Sequence, residues 1–545
     1  EGAPGFDEAL RHRLASAVLA QADHLEWNLS TWFSPNTHLT GEALALLASG
    51  VAWPALPGAR RRVAHGWRVL VDQAPLQHRP DGSYFEQTTW YQAYSTDFYV
   101  HAIAWATHAG LAIPAIVRER TRAAAMALRA FAREDGTIPQ CGDDDGGHLL
   151  PLAPLSAVDV SDVLARAALL FDDAALTVPG SAGRWALPWL DGPAALGRLE
   201  ALEVAPPAAG GRASKVLRDG GWVVLRERGE APAHDHHLVL DAGPHGALSG
   251  GHAHADALSI TLTARGVPLV VDPGTGAYTA PLRDRYRATR VHATVTVDGL
   301  DSSEMGTAFR WRTATDAHLT GAGIAGAASW ADAWHDGYER LVDPVRHRRT
   351  IARLARRYWI MFDTLTCAAP HDLELALPCA PGSTVIPDGD RGAEVARAGV
   401  SLRVVGDGAL AWSVEPRTVS PAYGAELPAP ALVGRGRIAR TTTIATVLAL
   451  PDECDATALV RSGASAWRLD HARGSDRLLA PLGAAMHEPM ITVETTWAAL
   501  LDMDEATGPR QVVAGGAGAV TAFGRSVTLD GDGTVALDAS TTEGR

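Results

Sequence analysis

The sequence predicts an α+β chain of several domains, in which a helical array precedes a large antiparallel β region. Its 545 residues exceed the roughly 100 to 200 residues of one ordinary domain. Apolar residues recur at helical spacing in the first part of the chain, whereas beyond Ser214 short alternating segments are joined by Gly, Asp and Pro turns. A composition of 47% hydrophobic and 20% charged residues is that of a folded protein.

The helical array runs from Phe6 to about Leu199. Breaks that contain Pro, Gly or Asp, such as WPALPG and RPDGS, separate its apolar stretches. The composition then shifts to EVAPPAAGGRAS at Glu203–Ser214, which is typical of a linker. We therefore predict one domain over residues 1–205 and a second over residues 206–545, with a small C-terminal β subdomain from about residue 440 as an option.

The stretch GGHAHADALSITLTARGVPLVVDPG, Gly250 to Gly274, predicts a β-hairpin with titratable side chains at its open end. Apolar and polar residues alternate over LSITLT, which indicates a half-buried strand, RG makes the turn, and VPLVV forms a second strand that stops at DPG. Neighbouring strand ends lie roughly 5 Å apart. The hairpin therefore brings His252, His254 and Asp256 close to Asp272.

Two histidines and a carboxylate in the β region form a set that could hold a divalent metal ion. His254, Asp272 and His292 lie 18 and 20 residues apart, each at a predicted strand end or turn. Zinc accepts such nitrogen and oxygen ligands, and Asp256 is a natural partner to orient a histidine. The alternative is that these residues hydrogen-bond to turns, which Asp272 before Pro-Gly suits well. Spacing alone leaves both interpretations open. The cofactor to consider is a divalent metal, with zinc preferred, and no organic cofactor is expected.

Two stretches of the helical array carry polar groups that a ligand could meet. In SPNTHLTGEALALL, Asn36 either caps the following helix or is presented to a ligand. In DGSYFEQTTWYQAYSTDFY, a helix that begins after Ser83 would place four side chains on one face, Gln87, Tyr91, Tyr94 and Phe98. An aromatic stripe at this spacing is more often part of a core than of a reaction site.

Two charged stretches complete the set of candidate features. In RDRYRATRVHATVTVDG, four arginines lead up to His292, and such a cluster could bind sulfate groups. In QCGDDDGG, Gln140 to Gly147, three acidic residues follow one another, and we expect a solvated turn there.

Charge and composition limit the partners of the chain. The 48 basic and 62 acidic residues give a net charge of −14, which repels polyanions and argues against nucleic acid and heavily sulfated polymers as main ligands. No stretch approaches the roughly 18 apolar residues of a membrane span, so no membrane partner is expected. The four cysteines are scattered, which indicates neither a disulfide framework nor a zinc knuckle. The compartment stays open between secreted, periplasmic and cytoplasmic, and a homodimer is one option for the assembly.

Taken together, these blocks resemble the heparinase II/III-like polysaccharide lyases. The resemblance rests on HAHADALS, GVPLVVDPGTGAY and RATRVH in the β region, and on SPNTH and DGSYFEQTTWY in the helical array. The blocks occur in family order between residues 34 and 300. The resemblance implies an incomplete α/α toroid followed by an antiparallel β-sandwich, and cleavage of an acidic polysaccharide or oligosaccharide by β-elimination at a uronic acid.

The elimination removes the proton on C5, which lies α to a carboxylate, and protonates the departing O4. By matching position, the resemblance implies that Asn36, with His38 beside it, neutralises the carboxylate. It also implies that Tyr91 donates a proton to O4 and that His252, or ionised Tyr91, removes the proton on C5. An ordinary tyrosine pKa of about 10 makes Tyr91 an acid without help, whereas base action requires neighbours that lower this pKa.

The resemblance also indicates where metal and sugar would bind. The family's metal-binding positions correspond to His254, Asp272 and His292. We assign sugar contacts to four further side chains, Gln87, Trp90, Arg287 and Arg290. The acidic balance favours a uronate polymer with little or no sulfate, such as hyaluronan, chondroitin or alginate, over heparin, with heparan sulfate also among the glycosaminoglycan candidates. Three positions depart from the family pattern, Thr37, Gln92 and Ala293, and each could alter the substrate preference.

Two other classes of function compete with a lyase. A glycoside hydrolase needs two carboxylates that flank the glycosidic bond. Glu86 and Asp97 would lie roughly 16 Å apart on one continuous helix, which is too far for such a pair. A non-catalytic carbohydrate-binding protein would keep its affinity when Tyr91 is changed to Phe, whereas a lyase would lose turnover.

Overall fold

The computed structural model describes residues 7–204, 213–227, 235–279, 282–324, 328–481, 485–488, 491–504 and 507–539. The chain divides into two compact units, one of Glu1–Ile138 with Gly146–Gly211 and one of Pro139–Asp145 with Arg212–Arg545. The linker expected at Glu203–Ser214 falls mainly on residues 205–212, which lie outside the described residues.

The first unit is helical, as the apolar spacing predicts. Its α-helices are α1 (Glu8–Trp27), α2 (Thr37–Ala52), α3 (Ala59–Gln77), α4 (Thr89–His108), α5 (Ala115–Phe131), α6 (Ser161–Phe171), α7 (Leu187–Leu190) and α8 (Ala195–Val204). Helices α2, α3 and α4 bury a common core around Leu47, Leu70 and Tyr99. A second cluster around Leu169 and Leu199 joins α6 to α8.

Helix α4 begins later than the sequence pattern indicates. Gly82 and Gln87 have left-handed backbone, with φ of 89° and 57°, and Thr88 caps the helix by accepting a hydrogen bond from the N–H of Tyr91 at 3.0 Å. A Cβ atom at Gly82 would lie 2.0 Å from a carbonyl oxygen of α5, so this turn requires glycine. The helix expected after Ser83 is therefore wrong at its start, and Gln87 does not share a helix face with Tyr91.

The second unit consists mainly of antiparallel strands. Its described residues contain one α-helix, α9 (Leu282–Tyr286), which precedes a 3₁₀ turn at Thr289–Val291. The strands are β1 (Lys215–Leu217), β2 (Trp222–Glu227), β3 (His236–Asp241), β4 (Ile260–Ala264), β5 (Val267–Val270), β6 (Val295–Val297), β7 (Glu304–Thr307), β8 (Arg310–Thr313), β9 (Ala317–Gly323), β10 (Ala328–Tyr338), β11 (Val345–Leu354), β12 (Tyr358–Thr366), β13 (Pro370–Pro378), β14 (Thr384–Pro387), β15 (Gly392–Arg397), β16 (Val400–Gly406), β17 (Ala411–Val419), β18 (Leu427–Ala439), β19 (Thr442–Ala449), β20 (Ala456–Gly463), β21 (Ala466–His471), β22 (Gly474–Leu479), β23 (Met486–Glu488), β24 (Ile491–Val493), β25 (Trp497–Leu501), β26 (Gln511–Gly515), β27 (Gly518–Ala522), β28 (Arg525–Leu529) and β29 (Thr534–Asp538).

These strands form six sheets. A five-stranded sheet has the order β1-β2-β3-β4-β5, an eight-stranded sheet the order β14-β15-β16-β19-β12-β11-β10-β9, and a four-stranded sheet the order β17-β18-β13-β6. The later strands form sheets β20-β21-β22-β25-β26-β29 and β23-β24-β27-β28, and β7 pairs with β8. One core cluster joins the first three sheets through Leu262, Trp359 and Leu432. The antiparallel β region is thus confirmed, while the toroid and sandwich arrangements stay predictions.

The hairpin predicted around the H-x-H-x-D motif is formed by β4 and β5. Its turn residues Arg265 and Gly266 have φ of 51° and 72°, the left-handed pair of a tight hairpin turn. His254 precedes β4 and Asp272 follows β5, so both lie at the open end. All five residues of β4 are buried, because this strand lies between β3 and β5 with both faces covered. The half-buried strand that the alternation predicts is therefore wrong in its exposure.

The acidic loop Gln140–Gly147 is not a solvated turn. Asp143 and Asp144 are 0% and 1% exposed, and residues up to Asp145 belong to the β-rich unit. Hydrogen bonds secure the loop there, since the N–H of Asp143 donates to the carbonyl of His252 and that of Asp144 to Oγ1 of Thr275. The composition misleads because a buried cation and two imidazoles accompany the Asp143 carboxylate.

All four cysteines are free thiols. No described helix is long and apolar enough to cross a membrane.

Candidate active site and metal-ligand cluster

Asn36 ends the turn before α2 and uses both ends of its side-chain amide. Its Oδ1 accepts a hydrogen bond from the N–H of His38 at 3.1 Å, and its Nδ2 donates to Oε1 of Glu86 at 2.7 Å. The helix cap considered from the sequence is therefore present. An amide nitrogen carries two N–H donors, of which Glu86 takes one. Asn36 is buried, whereas the side chain of His38, in the first turn of α2, is exposed.

Tyr91 lies in the first turn of α4, directly after the Thr88 cap. Its side chain is 4% exposed, and its ring meets that of Tyr94 edge to face with centroids 6.5 Å apart. Tyr94 in turn lies against Phe98 at 4.4 Å, so part of the predicted aromatic stripe exists and packs along α4. The cap fixes the backbone that carries the Tyr91 ring.

The two sugar contacts expected in this unit, Gln87 and Trp90, are both buried. Gln87 accepts a hydrogen bond from Nη1 of Arg79 at 2.7 Å. The Trp90 ring lies edge to face against His148 at 4.9 Å and is 3% exposed. These contacts favour packing roles, and sugar binding by either residue stays a prediction.

Gln92, one of the three residues that depart from the family pattern, has a structural role. Its Oε1 accepts from the N–H of Tyr84 at 2.6 Å, and its Nε2 donates to the carbonyls of Gly82 and Ala124. The side chain therefore ties the turn before α4 to α5. This use of the amide explains why a residue with both donor and acceptor atoms is needed there.

Glu86 and Asp97, the pair considered for a hydrolase, do not share a helix. Glu86 precedes the cap of α4, and one of its oxygens binds Asn36. Asp97 lies within α4, with a carboxylate oxygen 3.4 Å from Nε2 of His101. Burial, together with the nearby Asp162, raises the pKa of Asp97 to about 7. The distance estimated from one continuous helix therefore does not apply.

In the second unit, Asp143 binds both histidines of the H-x-H-x-D motif. Its Oδ2 lies 3.1 Å from Nδ1 of His252, and its Oδ1 lies 3.0 Å from Nε2 of His254. Arg283 donates to both oxygens of the same carboxylate and also to the carbonyl of Gly251. Burial would raise the pKa of Asp143, but Arg283 and the two histidines outweigh it and hold this pKa well below its usual range. Asp143 is thus a buried carboxylate ion that orients two imidazole rings.

Aromatic rings surround the His252 imidazole and the Arg283 guanidinium. The His252 ring centroid is 5.8 Å from that of Tyr278 and 6.2 Å from that of Phe309. Arg283 lies over the same two rings, 4.9 Å and 5.4 Å from their centroids. Such contacts exclude water and add cation–π attraction.

Four residues predicted from spacing meet in one cluster. The cluster consists of His254, Asp256, Asp272 and His292. One nitrogen of each histidine and one carboxylate oxygen of each aspartate lie within 4.8 Å of one another. Asp272 also forms the turn anticipated from Asp-Pro-Gly, because its Oδ1 accepts from the N–H of Gly274 at 2.9 Å. Its Oδ2 lies 3.5 Å from Nε2 of His292. Asp256, expected only to orient a ligand, therefore offers a fourth ligand atom itself.

The hydrogen bonds of the two histidines indicate which nitrogens face the cluster. Nδ1 of His292 lies 2.8 Å from the carbonyl of Ala288, which can only accept, so the lone pair of neutral His292 is on Nε2. Nε2 of His254 donates to Asp143, so its lone pair is on Nδ1. These two nitrogens lie 3.2 Å apart. Two lone pairs at this distance repel each other, and a shared cation would relieve the repulsion.

Burial shifts the pKa values of this cluster away from the charged forms. It lowers the pKa of His292 to about 4 and lowers that of His254, with Asp143 acting in the opposite sense. It raises the pKa of Asp272 well above the ordinary value, and the neighbouring Asp256 adds to this rise. The set therefore combines neutral imidazoles with carboxyl groups that repel one another. The nitrogen and oxygen donors fit a divalent cation, and so does the lack of a positive charge among the four residues of this set.

Two of the arginines that precede His292 are buried and bind other groups of the protein. Arg287 is 1% exposed, binds Asp284 and the carbonyls of Thr307 and Ala308, and lies over the Trp311 ring. Arg283 binds Asp143. These contacts favour structural roles, so the expected sugar contact by Arg287 stays a prediction, whereas Arg290 has an exposed side chain.

Two other groups of metal-type ligands have a simpler explanation. In the group of Asp343, Cys367 and His371, the two ring nitrogens of His371 already bind Asp343 and Asp298 at 2.9 Å and 2.6 Å. In the group of His471, Asp476 and Asp502, Arg357 neutralises both carboxylates. Ion pairs account for both groups.

Sequence reasoning missed Asp143 as a member of the site. Its acidic run carries no spacing that relates it to a motif more than 100 residues later, and the contact depends on a segment that joins the β-rich unit. The only available signal was the need of a charged Arg283 and two histidines for a buried anion.

Comparison with known proteins decides the family. Residues 2–148 match the family described as Heparinase II/III N-terminus, and residues 209–474 match that described as Heparinase II/III-like, C-terminal. The chain belongs to the heparinase II/III-like family. It is a polysaccharide lyase, as the resemblance implied.

Several solved structures are similar in fold to this heparinase II/III-like chain. The heparan sulfate lyase HepC from Pedobacter heparinus matches with 20% identity, a TM-score of 0.63, and coverage of 89% of this chain and 72% of that chain. A structure of heparinase III matches with 17% identity, a TM-score of 0.64, and coverage of 81% and 67%. A search of curated protein sequences finds no match. At these identities the solved structures establish the fold alone.

Proposed function

We propose that this heparinase II/III-like lyase cleaves a uronic-acid-containing glycosaminoglycan by β-elimination and leaves a 4,5-unsaturated uronate at the new end. The proposal rests on one contact above all, the hydrogen bond between Nδ1 of His252 and the buried carboxylate of Asp143. A histidine oriented in this way presents Nε2 as a base. Tyr91, at the N-terminal end of α4, supplies the acid of the same reaction.

His252 removes the proton on C5. Because its Nδ1 donates to Asp143, the lone pair of the neutral ring is on Nε2. The positive charge that forms on the ring after proton transfer is stabilised by the same carboxylate. Ionised Tyr91 is the alternative base for a uronate of the opposite stereochemistry at C5.

Tyr91 protonates O4 as the glycosidic bond breaks. A phenol hydroxyl is an O–H donor, so Tyr91 can act as the acid without a neighbouring group that first supplies a proton. Burial and the Thr88 cap restrict the motion of the ring. This restriction favours one direction for the O–H donor.

Asn36 stabilises the charge that builds on the uronate carboxylate after C5 loses its proton. The bond from its Nδ2 to Glu86 fixes the amide plane, and the second N–H of that nitrogen is the proposed donor. A fixed donor does not have to reorganise during the reaction, which is the main advantage of such groups. His38, exposed in the next turn, stays a candidate for a further contact with substrate.

The proposed metal ligands are His254, Asp272 and His292, with Asp256 as a fourth donor. Zinc is the preferred ion because imidazole and carboxylate are both among its usual ligands. When bound, a divalent ion would supply positive charge and rigidity to the loops that carry these residues. His252, two residues before His254, is held in place in the same stretch.

The proposed substrate is a uronate polymer with little sulfate. Arg283 and Arg287 bind other groups of the protein. The arginine-rich stretch before His292 therefore offers fewer cations to sulfate groups than its sequence indicates. A net charge of −14 also disfavours densely sulfated chains. Hyaluronan, chondroitin and alginate are the first candidates, and heparan sulfate is a further uronate polymer to test.

The test is a panel of hyaluronan, chondroitin sulfate, heparan sulfate, heparin, alginate and glucuronan, followed by the ultraviolet absorbance of the conjugated 4,5-unsaturated uronate. We expect absorbance to grow on at least one polymer and to be lost in Tyr91→Phe and His252→Ala. Chain cleavage detected only as new reducing ends would indicate a hydrolase. No cleavage of any kind across the panel would count against catalysis on these polymers.

Tyr99→Phe is the matched control for Tyr91→Phe. Tyr99 lies on the same helix, and its hydroxyl donates to the carbonyl of Leu70 within the core. This variant loses one buried hydrogen bond of about 1 kcal/mol and should keep its turnover. Equal loss of turnover in both variants would remove the support for Tyr91 as the acid.

A further inference from the structure

Asp143 is the residue through which the H-x-H-x-D motif is held on both sides. Its side chain is 0% exposed, and each of its two oxygens accepts one imidazole N–H, from His252 at 3.1 Å and from His254 at 3.0 Å. Arg283 donates to both oxygens as well. The backbone N–H of Asp143 donates to the carbonyl of His252 at 3.0 Å, so the loop and the motif are joined through main chain and side chain.

We propose that Asp143 is a positioning residue that sets the tautomers of His252 and His254 together. The same carboxylate thereby orients the proposed base and prepares a proposed metal ligand. This inference rests on the proposed function for the role of His252, and it extends that function to a residue for which neither the family match nor the sequence motif gives a role.

The chemistry of a carboxylate ion explains the double effect. It can only accept hydrogen bonds, so both ring nitrogens that face it must carry hydrogen. His252 is then protonated on Nδ1 and His254 on Nε2, which leaves the lone pairs on Nε2 of His252 and Nδ1 of His254. The latter is the atom that lies 3.2 Å from Nε2 of His292. A carboxylate behind a metal-binding histidine is a recurrent arrangement that fixes the ring and strengthens the ligand.

Arg283 completes the arrangement because it keeps the carboxylate ionised in a buried place. A buried carboxylate without a cation would take up a proton, and a carboxylic acid has an O–H donor in place of one acceptor. Arg283 itself is fixed by the carbonyls of Gly251 and Ala308. Gly251 directly precedes His252, so one guanidinium holds both the carboxylate and the chain that carries the base.

Asp143→Asn is the informative substitution, because an amide of the same size replaces one acceptor oxygen with an N–H donor. It can satisfy only one of the two histidines, and it forces the other ring towards the wrong tautomer. We expect metal affinity of the substrate-free protein to fall about 10- to 100-fold. We also expect kcat to fall on the order of 10²- to 10⁴-fold with KM changed little, as for other histidines that lose an orienting carboxylate.

Asp298→Asn is the matched control. Asp298 also binds a histidine in the same unit, since its Oδ2 lies 2.6 Å from Nδ1 of His371. Neither Asp298 nor His371 belongs to the proposed site. This variant should retain metal affinity and kcat within about twofold of the parent. Equal losses in the two variants would mean that Asp143 acts only through general stability, which would overturn the proposal.

A double-mutant cycle separates positioning from a merely structural role. If Asp143 acts on turnover through His252, adding Asp143→Asn to His252→Ala should lower the residual kcat no further. If it acts on metal binding through His254, adding it to His254→Ala should lower metal affinity no further. Multiplicative losses in both cycles would contradict the proposal.

The tautomers can also be measured in the unsubstituted protein, which covers the case in which Asp143→Asn does not fold. Nitrogen-15 chemical shifts of labelled histidines, assigned with His252→Ala and His254→Ala, should give His252 protonated on Nδ1 and His254 protonated on Nε2 in the metal-free protein. The opposite tautomer at either ring would overturn the proposal. The metal and tautomer measurements need no substrate, so failure of the lyase assay and failure of this inference can be told apart.

Discussion

Nδ1 of His254 lies 3.2 Å from Nε2 of His292, although the remaining nitrogen of each ring already donates a hydrogen bond elsewhere. Asp143 accepts from one ring and the carbonyl of Ala288 from the other. The contact therefore joins two lone pairs in a fully buried place, which a divalent cation would turn from repulsion into ligation.

Metal loading should stabilise the protein through these two rings. Zinc at a hundredfold excess over its Kd adds about 2.7 kcal/mol to the free energy of unfolding, which corresponds to a rise in Tm of roughly 2 to 4 °C for a chain of this size. A chelator should reverse the rise, as followed by differential scanning calorimetry. His292→Gln should abolish the response, and His371→Gln, in a group explained by ion pairs, should keep it. An unchanged Tm across zinc and chelator would count against the site.

Asn36→Ala should reduce turnover more than it reduces stability. Loss of a helix cap costs about 0.5 to 2 kcal/mol, whereas loss of one donor to a developing negative charge lowers kcat on the order of 10²- to 10³-fold. Asp7→Ala is the matched control, because Asp7 caps α1 by accepting from the N–H of Leu10. Steady-state kinetics and thermal unfolding of both variants give the comparison. A turnover in Asn36→Ala that follows only the lost stability would leave Asn36 as a cap and nothing more.

Asp97→Asn should stabilise the protein at alkaline pH and not at acidic pH. Burial and Asp162 raise the pKa of Asp97 from its ordinary value to about 7. Between these two values the unfolded chain ionises this carboxyl group while the folded chain does not, so stability falls as the pH rises to about 7. The substitution removes this penalty, which is a few kcal/mol at most. Thermal unfolding at pH 4 and pH 8 would test the sign, and a gain that is equal at both values would contradict it.

Gly82→Ala should disturb the turn that leads to Tyr91. Gly82 has a φ of 89°, and a Cβ atom there would lie 2.0 Å from a carbonyl oxygen. We expect the free energy of unfolding to fall by well over the roughly 1 kcal/mol of backbone strain alone, together with a loss of turnover. Gly110→Ala serves as the control, since its φ of 71° is similar but a Cβ atom would meet nothing within 4 Å. Chemical denaturation of both variants separates strain from collision.

The sequence predicts those parts of the fold and the site that depend on local pattern. Alternation and turn residues define the β4–β5 hairpin, and strand ends place His254 and Asp272 together. The pattern was insufficient at α4. The left-handed backbone of Gln87 delays the start of this helix until after Thr88, and the residue type at position 87 gives no sign of it. The pattern also failed at Asp143, because an acidic loop in isolation is typical of the surface. Its burial depends on Arg283, which lies 140 residues further along the chain.

The placement of Pro139–Asp145 in the β-rich unit affects any attempt to divide this protein by genetic truncation. A fragment that starts at residue 212 would contain all the strands described above but would lack the segment with Asp143. Arg283 would then be a buried cation without its anion, a defect of about 3 to 5 kcal/mol, and both motif histidines would lose their acceptor. The two units are therefore not exchangeable modules. A chimera that keeps a working H-x-H-x-D motif must include Pro139–Asp145, which belongs to the β-rich unit although its sequence interrupts that of the helical unit.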